Sequence, residues 1–219
     1  MRSFFFPGLL PTGFVCVDVR TICDGFVNLF VLSLPTGLVC IDSGWNPRRL
    51  RRSFKMLGLR PEEVCAVLLT HMHWDHARGS KAFPNAQLFC GGGELIGITP
   101  NRFDHTQPVT SVADGQVLSV AGARVEVITT PGHTRGAVSY LVNDCLLFTG
   151  DALRLKNGCV RPFHFIFNQD NRIMVESLDK LARVAPRAQA LFTGHTGYTA
   201  DVVKAFAAWT DGRETKASA

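Results

Sequence analysis

Residues 71–76 read His-Met-His-Trp-Asp-His and place three imidazoles and one carboxylate within one short stretch. They directly follow the run 64–69, which is short, apolar and β-branched and therefore predicts a buried strand. Because side chains alternate along an extended backbone, His71 and His73 should point to the same side and be able to hold one ion. The chain must then turn, which directs the aspartate and the last histidine toward a neighbouring position. Imidazole nitrogen and carboxylate oxygen are ligands that zinc and other borderline divalent ions accept, so the motif predicts a metal site.

Two later segments are nearly identical to each other. Residues 147–151 read Leu-Phe-Thr-Gly-Asp, and residues 191–195 read Leu-Phe-Thr-Gly-His. Each predicts a buried strand that ends in a Thr-Gly step and then presents a potential ligand, with glycine allowing the backbone to turn sharply. Together with the strand before His71, three apolar strands deliver polar residues at their carboxyl ends, where α/β folds build their sites.

The pattern H-x-H-x-D-H resembles the signature of the metallo-β-lactamase superfamily, and most closely that of its glyoxalase II-like hydrolases. In that family the motif is followed by a separate histidine, a bridging aspartate and a final histidine. These positions are matched here by His133 in Pro-Gly-His-Thr, Asp151 in Thr-Gly-Asp-Ala and His195 in Thr-Gly-His-Thr. The four motifs stand in the family's order, and the resemblance extends from about Phe14 to Trp209.

The resemblance implies two divalent metal ions, expected to be zinc, with iron or manganese as alternatives. The first ion would be bound by His71, His73 and His133. The second would be bound by Asp75, His76 and His195, with Asp151 bridging the two. The implied fold is α/β (α+β), a four-layer αββα sandwich with two mixed sheets face to face and the metals at one edge. We expect a single domain over residues 1–219, with a frayed polar tail at 210–219.

The implied reaction is hydrolysis of an ester-like bond, such as a thioester, a lactone or a related acyl compound, by a metal-bound hydroxide. No serine or cysteine nucleophile is required, because a metal ion lowers the pKa of bound water to about 7. The second ion would stabilise the oxyanion or the leaving group, and Asp75 would orient or relay the proton as a catalytic residue.

At several motif positions the sequence differs from related branches of the superfamily, and these differences narrow the choice of reaction. The superfamily's β-lactamases generally lack an aspartate at the position of Asp151, which argues against a dedicated antibiotic hydrolase. His73 stands where flavodiiron reductases carry glutamate, and Ala152 follows the aspartate where acyl-homoserine lactonases soon place tyrosine. The ten residues after Trp209 are expected to be too few for the helical domain of glyoxalase II proper, and no segment resembles the substrate arm of the tRNA-processing nucleases.

Three alternatives remain open. A mononuclear iron sulfur dioxygenase of the same fold would use the equivalents of His71, His133 and Asp151. A phosphodiesterase or nuclease is kept open by a basic stretch at 48–55. A binding module without catalysis is disfavoured, because all seven ligand positions hold competent residues.

Composition sets further bounds. The chain has 219 residues, 46% hydrophobic and 19% charged, which is ordinary for a globular protein with one core. Its net charge of +5 owes much to the cluster 48–52 and Lys55, but Leu50, Phe54 and Leu57 recur there at helical spacing. The arginines are therefore interpreted as the solvated face of an amphipathic helix, and nucleic acid is not expected as a partner.

Seven cysteines without a C-x-x-C pair indicate a reducing compartment. The apolar run near the N-terminus is cut by Pro7 and Gly8, which leaves it too short for a signal peptide, and no stretch is long enough for a membrane span. We therefore expect a cytoplasmic protein that acts on a small, possibly anionic molecule.

Patterning places the remaining elements. The expected strands are 14–19, 26–32, 38–41, 64–69, 88–90, 117–120, 124–128, 138–142, 145–148 and 190–192. The expected helices are one from Pro47 to Gly58, a short one at 77–83, one at 173–185, and a last one capped by Thr199. Residues 91–114 are expected to be loop, with a helical turn near 94–98.

The segment 153–168 follows Asp151 and is expected to form the substrate wall. It combines three cations with a phenylalanine-rich run, which suits an acyl group with an anionic end; the cations are Arg154, Lys156 and Arg161. Within it, His164 is a candidate catalytic or substrate-contacting residue, with a plain core or surface role as the alternative. Alternation along a strand would separate it from the three phenylalanines, which are equally compatible with core positions. His105 is expected to be a plain surface residue.

Overall fold

A computed structural model describes residues 10, 12–13, 15–16, 18–96 and 108–217, and of residues 15–16 and 212–217 it describes the backbone. His105, expected at the surface, lies outside the described residues. The four α-helices of the described chain are α1 (Pro47–Met56), α2 (Trp74–Ala77), α3 (Asn171–Val184) and α4 (Val202–Ala217). No helix of the described residues is both long enough and apolar enough to cross a membrane.

Fifteen strands form two large sheets and one hairpin in the described chain. The first sheet runs, in spatial order, through β1 (Val15–Cys16), β2 (Val19–Asp24), β3 (Val27–Leu34), β4 (Gly37–Ile41), β5 (Val64–Leu68), β6 (Gln87–Gly91) and β7 (Val109–Val112). Its first four strands are antiparallel and the pairs from β4 to β7 are parallel, so the sheet is mixed.

The second sheet has the order β15 (Gly197–Thr199), β14 (Ala190–Thr193), β11 (Leu146–Phe148), β10 (Val138–Val142), β9 (Ala123–Thr129) and β8 (Val117–Val120). Within it, β11 and β14 are parallel and the other pairs are antiparallel. The separate hairpin pairs β12 (Leu153–Lys156) with β13 (Cys159–Pro162).

Buried apolar side chains of the described residues form three clusters that stack the elements into four layers. The first lies between the two sheets and includes Phe30 from one and Tyr140 from the other. The second packs Phe54 of α1 against the outer face of the first sheet. The third packs Leu178 of α3 and Phe206 of α4 against the outer face of the second sheet. This is the αββα sandwich, and the prediction is confirmed; the single domain with a frayed tail stays a prediction.

Helix α1 begins and ends where its sequence predicts. Asn46 accepts hydrogen bonds from the N–H groups of Arg48 and Arg49, Pro47 occupies the first turn, and Leu57 caps the end before Gly58. Leu50 and Phe54 are fully buried, whereas the arginine cluster faces outward at 48, 51 and 52. The amphipathic interpretation of the basic stretch therefore holds.

Several element predictions were wrong for local reasons. The strand expected at 14–19 is broken at Asp18, whose φ of 63° reverses the chain, and the longer β2 begins at Val19. Strand β2 was not predicted because it contains polar residues such as Thr21 and Asp24, although both are fully buried. In the region expected to be loop, β7 forms at 109–112 and the helical turn begins earlier, at Gly92–Leu95.

Two helix boundaries also differ. The short helix expected at 77–83 begins at Trp74 and tightens into a 3-10 turn at Arg78–Ala82. Thr199 ends β15 instead of capping α4, and its hydroxyl accepts a hydrogen bond from the N–H of Asp201, just before the helix.

Candidate metal centre

The seven predicted ligands come from loops at the carboxyl ends of strands in both sheets. The loop after β5 and the short helix α2 present four of them, namely His71, His73, Asp75 and His76. The second sheet presents the other three in the loops after β9, β11 and β14, namely His133, Asp151 and His195. The structure brings all seven together, whereas in sequence they span 125 positions from 71 to 195.

The first triad consists of His71, His73 and His133, whose potential ligand atoms all lie within 4.8 Å of one another. His133 Nε2 and His73 Nδ1 are 2.9 Å apart. The Nε2 atom of His71 is buried and has no hydrogen-bond partner in the described structure. Ligands at a tetrahedral zinc ion are separated by about 3.3 Å, because each lies roughly 2.0 Å from the ion. The triad therefore fits a divalent cation.

The second triad consists of Asp75, His76 and His195, and it meets the same 4.8 Å limit. The two Nε2 atoms are 3.3 Å apart, and Asp75 Oδ2 lies 3.7 Å from that of His76 and 3.5 Å from that of His195. Two imidazoles and one carboxylate converging in this way could hold a second divalent ion.

The carboxylate of Asp151 lies between the triads. One oxygen, Oδ2, is 3.4 Å from His133 Nε2 and 3.2 Å from His195 Nε2. The other, Oδ1, is 3.6 Å from His76 Nε2, is buried, and accepts no hydrogen bond in the described structure. This is the position that a bridging ligand requires, and the orphaned oxygen fits a cation.

The glycine of each Thr-Gly step is required by close packing at the centre. Gly150 has φ of 52°, and a Cβ there would lie 2.2 Å from Thr70 Oγ1. A Cβ on Gly194 would lie 2.5 Å from Asp151 Oδ1 and 2.8 Å from Cε1 of His76, which belongs to the first sheet. None of these distances is compatible with a side chain, so the two glycines let the second sheet approach the first.

An outer ring of acceptors holds the imidazoles. Asp42 Oδ2 accepts a 2.7 Å bond from His76 Nδ1, and the carbonyl oxygen of Phe26 accepts a 2.6 Å bond from His195 Nδ1. Asn168 Oδ1 lies 3.2 Å from His133 Nδ1. Such partners fix the tautomer and orient Nε2 toward the candidate centre.

Three outer residues were missed from the sequence, namely Asp42, Glu94 and Asn168. Asp42 follows β4, the strand parallel to β5, and its position at a strand's carboxyl end was the available signal. Glu94 accepts from the N–H groups of Met72 at 2.8 Å and Gly136 at 3.0 Å, and from the hydroxyl of Thr134. It therefore ties the two loops that carry the first triad, and no pattern in the sequence indicated this role.

Burial and neighbouring charges shift the pKa values at the centre in opposite directions. Burial lowers the pKa of His71 and His73, and it lowers the pKa of His133 to about 4. Burial also acts on His76, but the carboxylates of Asp151, Asp42 and Asp75 outweigh it and raise its pKa well above the usual value. In the metal-free protein these shifts favour neutral imidazoles with available lone pairs in the first triad at pH 7, and a protonated ring at His76.

The segment after the hairpin lies against the centre. The ring of Phe163 is buried, with its centroid 5.1 Å from that of His133 and 5.7 Å from that of His195. Phe165 and Phe167 stand in a 3-10 turn and are 74% and 46% exposed, so these two are not core residues. His164 is half-buried beside Phe163 and lies outside both triads; its role stays a prediction.

Comparison with known proteins gives three consistent results. The family model described as the metallo-beta-lactamase superfamily matches residues 24–195. A probable metallo-hydrolase of Methanocaldococcus jannaschii is 30% identical over 141 residues, covering 64% of this chain and 61% of that protein. A hydroxyacylglutathione hydrolase of Mesorhizobium japonicum is 37% identical over 131 residues, covering 59% of this chain and 47% of the relative.

The human hydroxyacylglutathione hydrolase-like protein is 33% identical over 151 residues, covering 66% of this chain and 48% of the human protein. The chain thus matches about half the length of the hydroxyacylglutathione hydrolase relatives.

Among solved structures, a metallo-beta-lactamase family protein from Thermus thermophilus has a TM-score of 0.70 at 24% identity, covering 91% of this chain and 80% of that one. A B3 metallo-beta-lactamase with an active-site glutamic acid has a TM-score of 0.65 at 18% identity, covering 96% and 94%. At these identities the likeness concerns the fold.

Proposed function

Because the chain belongs to the metallo-beta-lactamase superfamily, we propose that it is a metal-dependent hydrolase that cleaves an ester-like bond, such as a thioester, a lactone or a related acyl compound. One observation carries the proposal: two triads of ligand atoms converge on either side of a shared, buried carboxylate. Relatives named hydroxyacylglutathione hydrolase support an acyl compound as the substrate.

The donor set favours two ions. His71, His73 and His133 would hold the first, and Asp75, His76 and His195 would hold the second, with Asp151 shared between them. Nitrogen and oxygen donors without cysteine suit zinc, and they also suit iron or manganese. A mononuclear iron site would leave the second triad unused, although its three ligand atoms converge as closely as those of the first. When bound, the ions supply Lewis acidity and make hydroxide available near neutral pH.

Residues of the chain itself would hold a proton, fix the histidine rings and exclude water at the candidate centre. Asp75 keeps a side chain that is 13% exposed, with Oδ2 3.5 Å from His195 Nε2, so it can hold or relay a proton beside the candidate centre. Asp42 and the carbonyl of Phe26 keep the rings of His76 and His195 in one orientation. Phe163 covers His133 and His195 from one side, which excludes water from that face.

Elemental analysis combined with an assay panel tests the proposal. Protein purified without added metal should contain two ions per chain and should hydrolyse a thioester or a lactone. Chelation should abolish the activity, and zinc should restore it. One iron per chain without zinc would contradict the zinc hydrolase, and turnover of bis(p-nitrophenyl) phosphate alone would identify a phosphodiesterase instead.

A further inference from the structure

The hairpin of β12 and β13 is amphipathic and begins two residues after Asp151. Leu153 and Val160 are fully buried in the third cluster. Because side chains alternate along each strand, the opposite face carries the residues between them. Three of these are cations, and we call them the cationic face: Arg154, Lys156 and Arg161.

The cationic face is not neutralised within the described part of the chain. Arg154 and Arg161 are direct cross-strand partners, an arrangement that is destabilising for like charges. Their guanidinium groups donate to backbone oxygens, Arg154 Nε to Pro162 at 3.1 Å and Arg161 Nη1 to Val160 at 2.9 Å. Among the described residues, none of the three cations forms an ion pair with a carboxylate.

A second pair of arginines provides the contrast. Arg124 and Arg187 also lie close together, but they share the carboxylates of Glu126 and Asp144. The repulsion between those two arginines is therefore offset by the protein itself. At the hairpin no carboxylate of the described residues plays this part, so the cations are available to an external anion.

The cationic face lies beside the candidate metal centre. The N–H of Leu155 donates a 2.8 Å hydrogen bond to Thr196 Oγ1, next to His195. Arg154 is three residues after Asp151, so their Cα atoms are at most about 10 Å apart. The pKa of His164 is lowered mainly by burial and then by the charges of Arg154 and His195, while Asp151 acts to raise it. His164 therefore lies within electrostatic range of both the cationic face and the candidate metal centre.

We propose that the cationic face binds an anionic group of the substrate, a carboxylate or a phosphate. This inference rests on the proposed hydrolase function, and it narrows the substrate to an acyl ester or thioester that carries such a group near the reacting carbonyl. Guanidinium groups bind carboxylate and phosphate through paired hydrogen bonds, which makes arginine the suitable residue for either. The exposed apolar side chains of Phe165 and Phe167 would contact the chain that joins the anion to the carbonyl.

Matched substrates and variants test the proposal on the metal-loaded protein. The first substrate pair is the adipoyl and hexanoyl thioesters of N-acetylcysteamine, which differ in one terminal carboxylate. The second pair is the hexanoyl thioesters of phosphopantetheine and pantetheine, which differ in one phosphate on the leaving group. The variants are Arg154→Gln and Arg161→Gln, and the control is Arg52→Gln, which removes an exposed cation from α1.

The preference in kcat/KM for the anionic member of one pair should fall by about tenfold in each hairpin variant, which is the effect of losing one charged hydrogen bond. It should stay unchanged in Arg52→Gln, and the melting temperature of each variant serves as the folding control. The pair that responds identifies the anion as carboxylate or phosphate. If the ratio of kcat/KM between the anionic and the neutral member of each pair is the same in all variants, the inference is overturned and the proposed function stays intact.

A binding measurement separates failure of the reaction from failure of this subsite. If no thioester is hydrolysed, the proposed function fails, and calorimetric titration with phenyl phosphate decides the inference. Affinity that is about tenfold weaker in the Arg154→Gln/Arg161→Gln double variant than in Arg52→Gln supports it. Equal affinity in these two proteins refutes it, because the phosphate would then be bound elsewhere.

Discussion

Asp151 lies between the two halves of the candidate centre. Its Oδ2 atom lies 3.4 Å from the ring nitrogen of His133 and 3.2 Å from that of His195, which belong to different triads. The charges of His195 and His76 hold the pKa of Asp151 well below its usual value, even though burial acts to raise it. The carboxylate is therefore ionised at neutral pH and is available to both ions.

Replacing Asp151 by Ala should remove metal from both positions, because two cations would lose the anion between them. We expect less than one ion per chain by elemental analysis, and a decrease in kcat of more than about a hundredfold, beyond the usual effect of an outer partner. Asp75→Ala is the matched comparison and should lose mainly the second ion. Two ions and a normal rate in Asp151→Ala would refute the bridging role.

Asp42 should affect metal affinity without contacting a metal. Its carboxylate accepts the Nδ1–H of His76 and also the N–H and hydroxyl of Thr70. Asp42→Asn should weaken binding of the second ion about 10- to 100-fold, as is typical for such outer partners. A chelator competition titration measures this, with Asp114→Asn as the control, since Asp114 is a surface carboxylate paired with Lys180. Equal affinities in the two variants would leave Asp42 a purely structural residue.

The two ions should respond differently to pH. The pKa of His76 is raised, so the metal-free protein carries a proton there that the second ion must displace. The pKa values of His71, His73 and His133 are lowered, so the first ion meets neutral imidazoles. Between pH 6.5 and 8, affinity for the second ion should rise with pH while affinity for the first changes little. Calorimetry in two buffers of different ionisation enthalpy should show about one proton released with the second ion only.

At the scale of elements, the strands that enter ligand loops were the most predictable. Residues 64–69 and the paired Leu-Phe-Thr-Gly segments are continuous apolar runs, and β5, β11 and β14 form there. Strand β2 was missed because Thr21 and Asp24 are polar although they are buried. Hairpin β12–β13 was taken only as part of a substrate wall, since its cations mask the alternation of Leu153 and Leu155.

The same contrast applies within the candidate centre. The seven candidate ligand positions were named from the sequence because ordered histidine and aspartate motifs resemble those of a known family, and the structure brings these residues together. Asp42 and Asn168 were not, since their partners lie 34 and 35 positions away and only the folded chain joins them. Glu94 reaches across 22 positions to Met72 and across 42 to Gly136 in the same way.

Gly150 offers a test of how closely the two sheets must approach. Alanine there would have an unfavourable positive φ and a Cβ 2.2 Å from Thr70 Oγ1. Gly58 has φ of 69° with nothing within 4 Å of a Cβ, so Gly58→Ala isolates the backbone cost of about 1–2 kcal/mol. We expect Gly150→Ala to lower the free energy of unfolding by clearly more than this in denaturant titrations. Equal losses would mean that the contact with Thr70 relaxes without cost.

At the scale of the whole molecule, each sheet contributes part of both triads. The first sheet supplies the motif at 71–76, and the second supplies His133, Asp151 and His195. Bound ions would therefore connect the two sheets across their shared edge, in addition to the apolar cluster that lies between them.

Metal removal should consequently lower the stability of the entire domain. A ligand at a hundred times its Kd stabilises the folded state by about 2.7 kcal/mol. For a chain of this size, that corresponds to a fall in Tm of roughly 5–10 °C after chelation. Differential scanning calorimetry with and without a chelator measures the shift, and re-addition of zinc is the control. An unchanged Tm would show that the ions do not contribute to holding the sheets together.

The order of the ligands along the chain has a consequence for biosynthesis. On a ribosome, the His-x-His-x-Asp-His motif emerges first, and His195 follows 119 residues after His76. A nascent chain thus carries an open chelating loop long before the second sheet exists to close it. Binding of both ions would require His195 as well as the motif at 71–76, so the candidate centre could be completed only after the loop that follows β14 has been made, and metal binding would report that both sheets have formed.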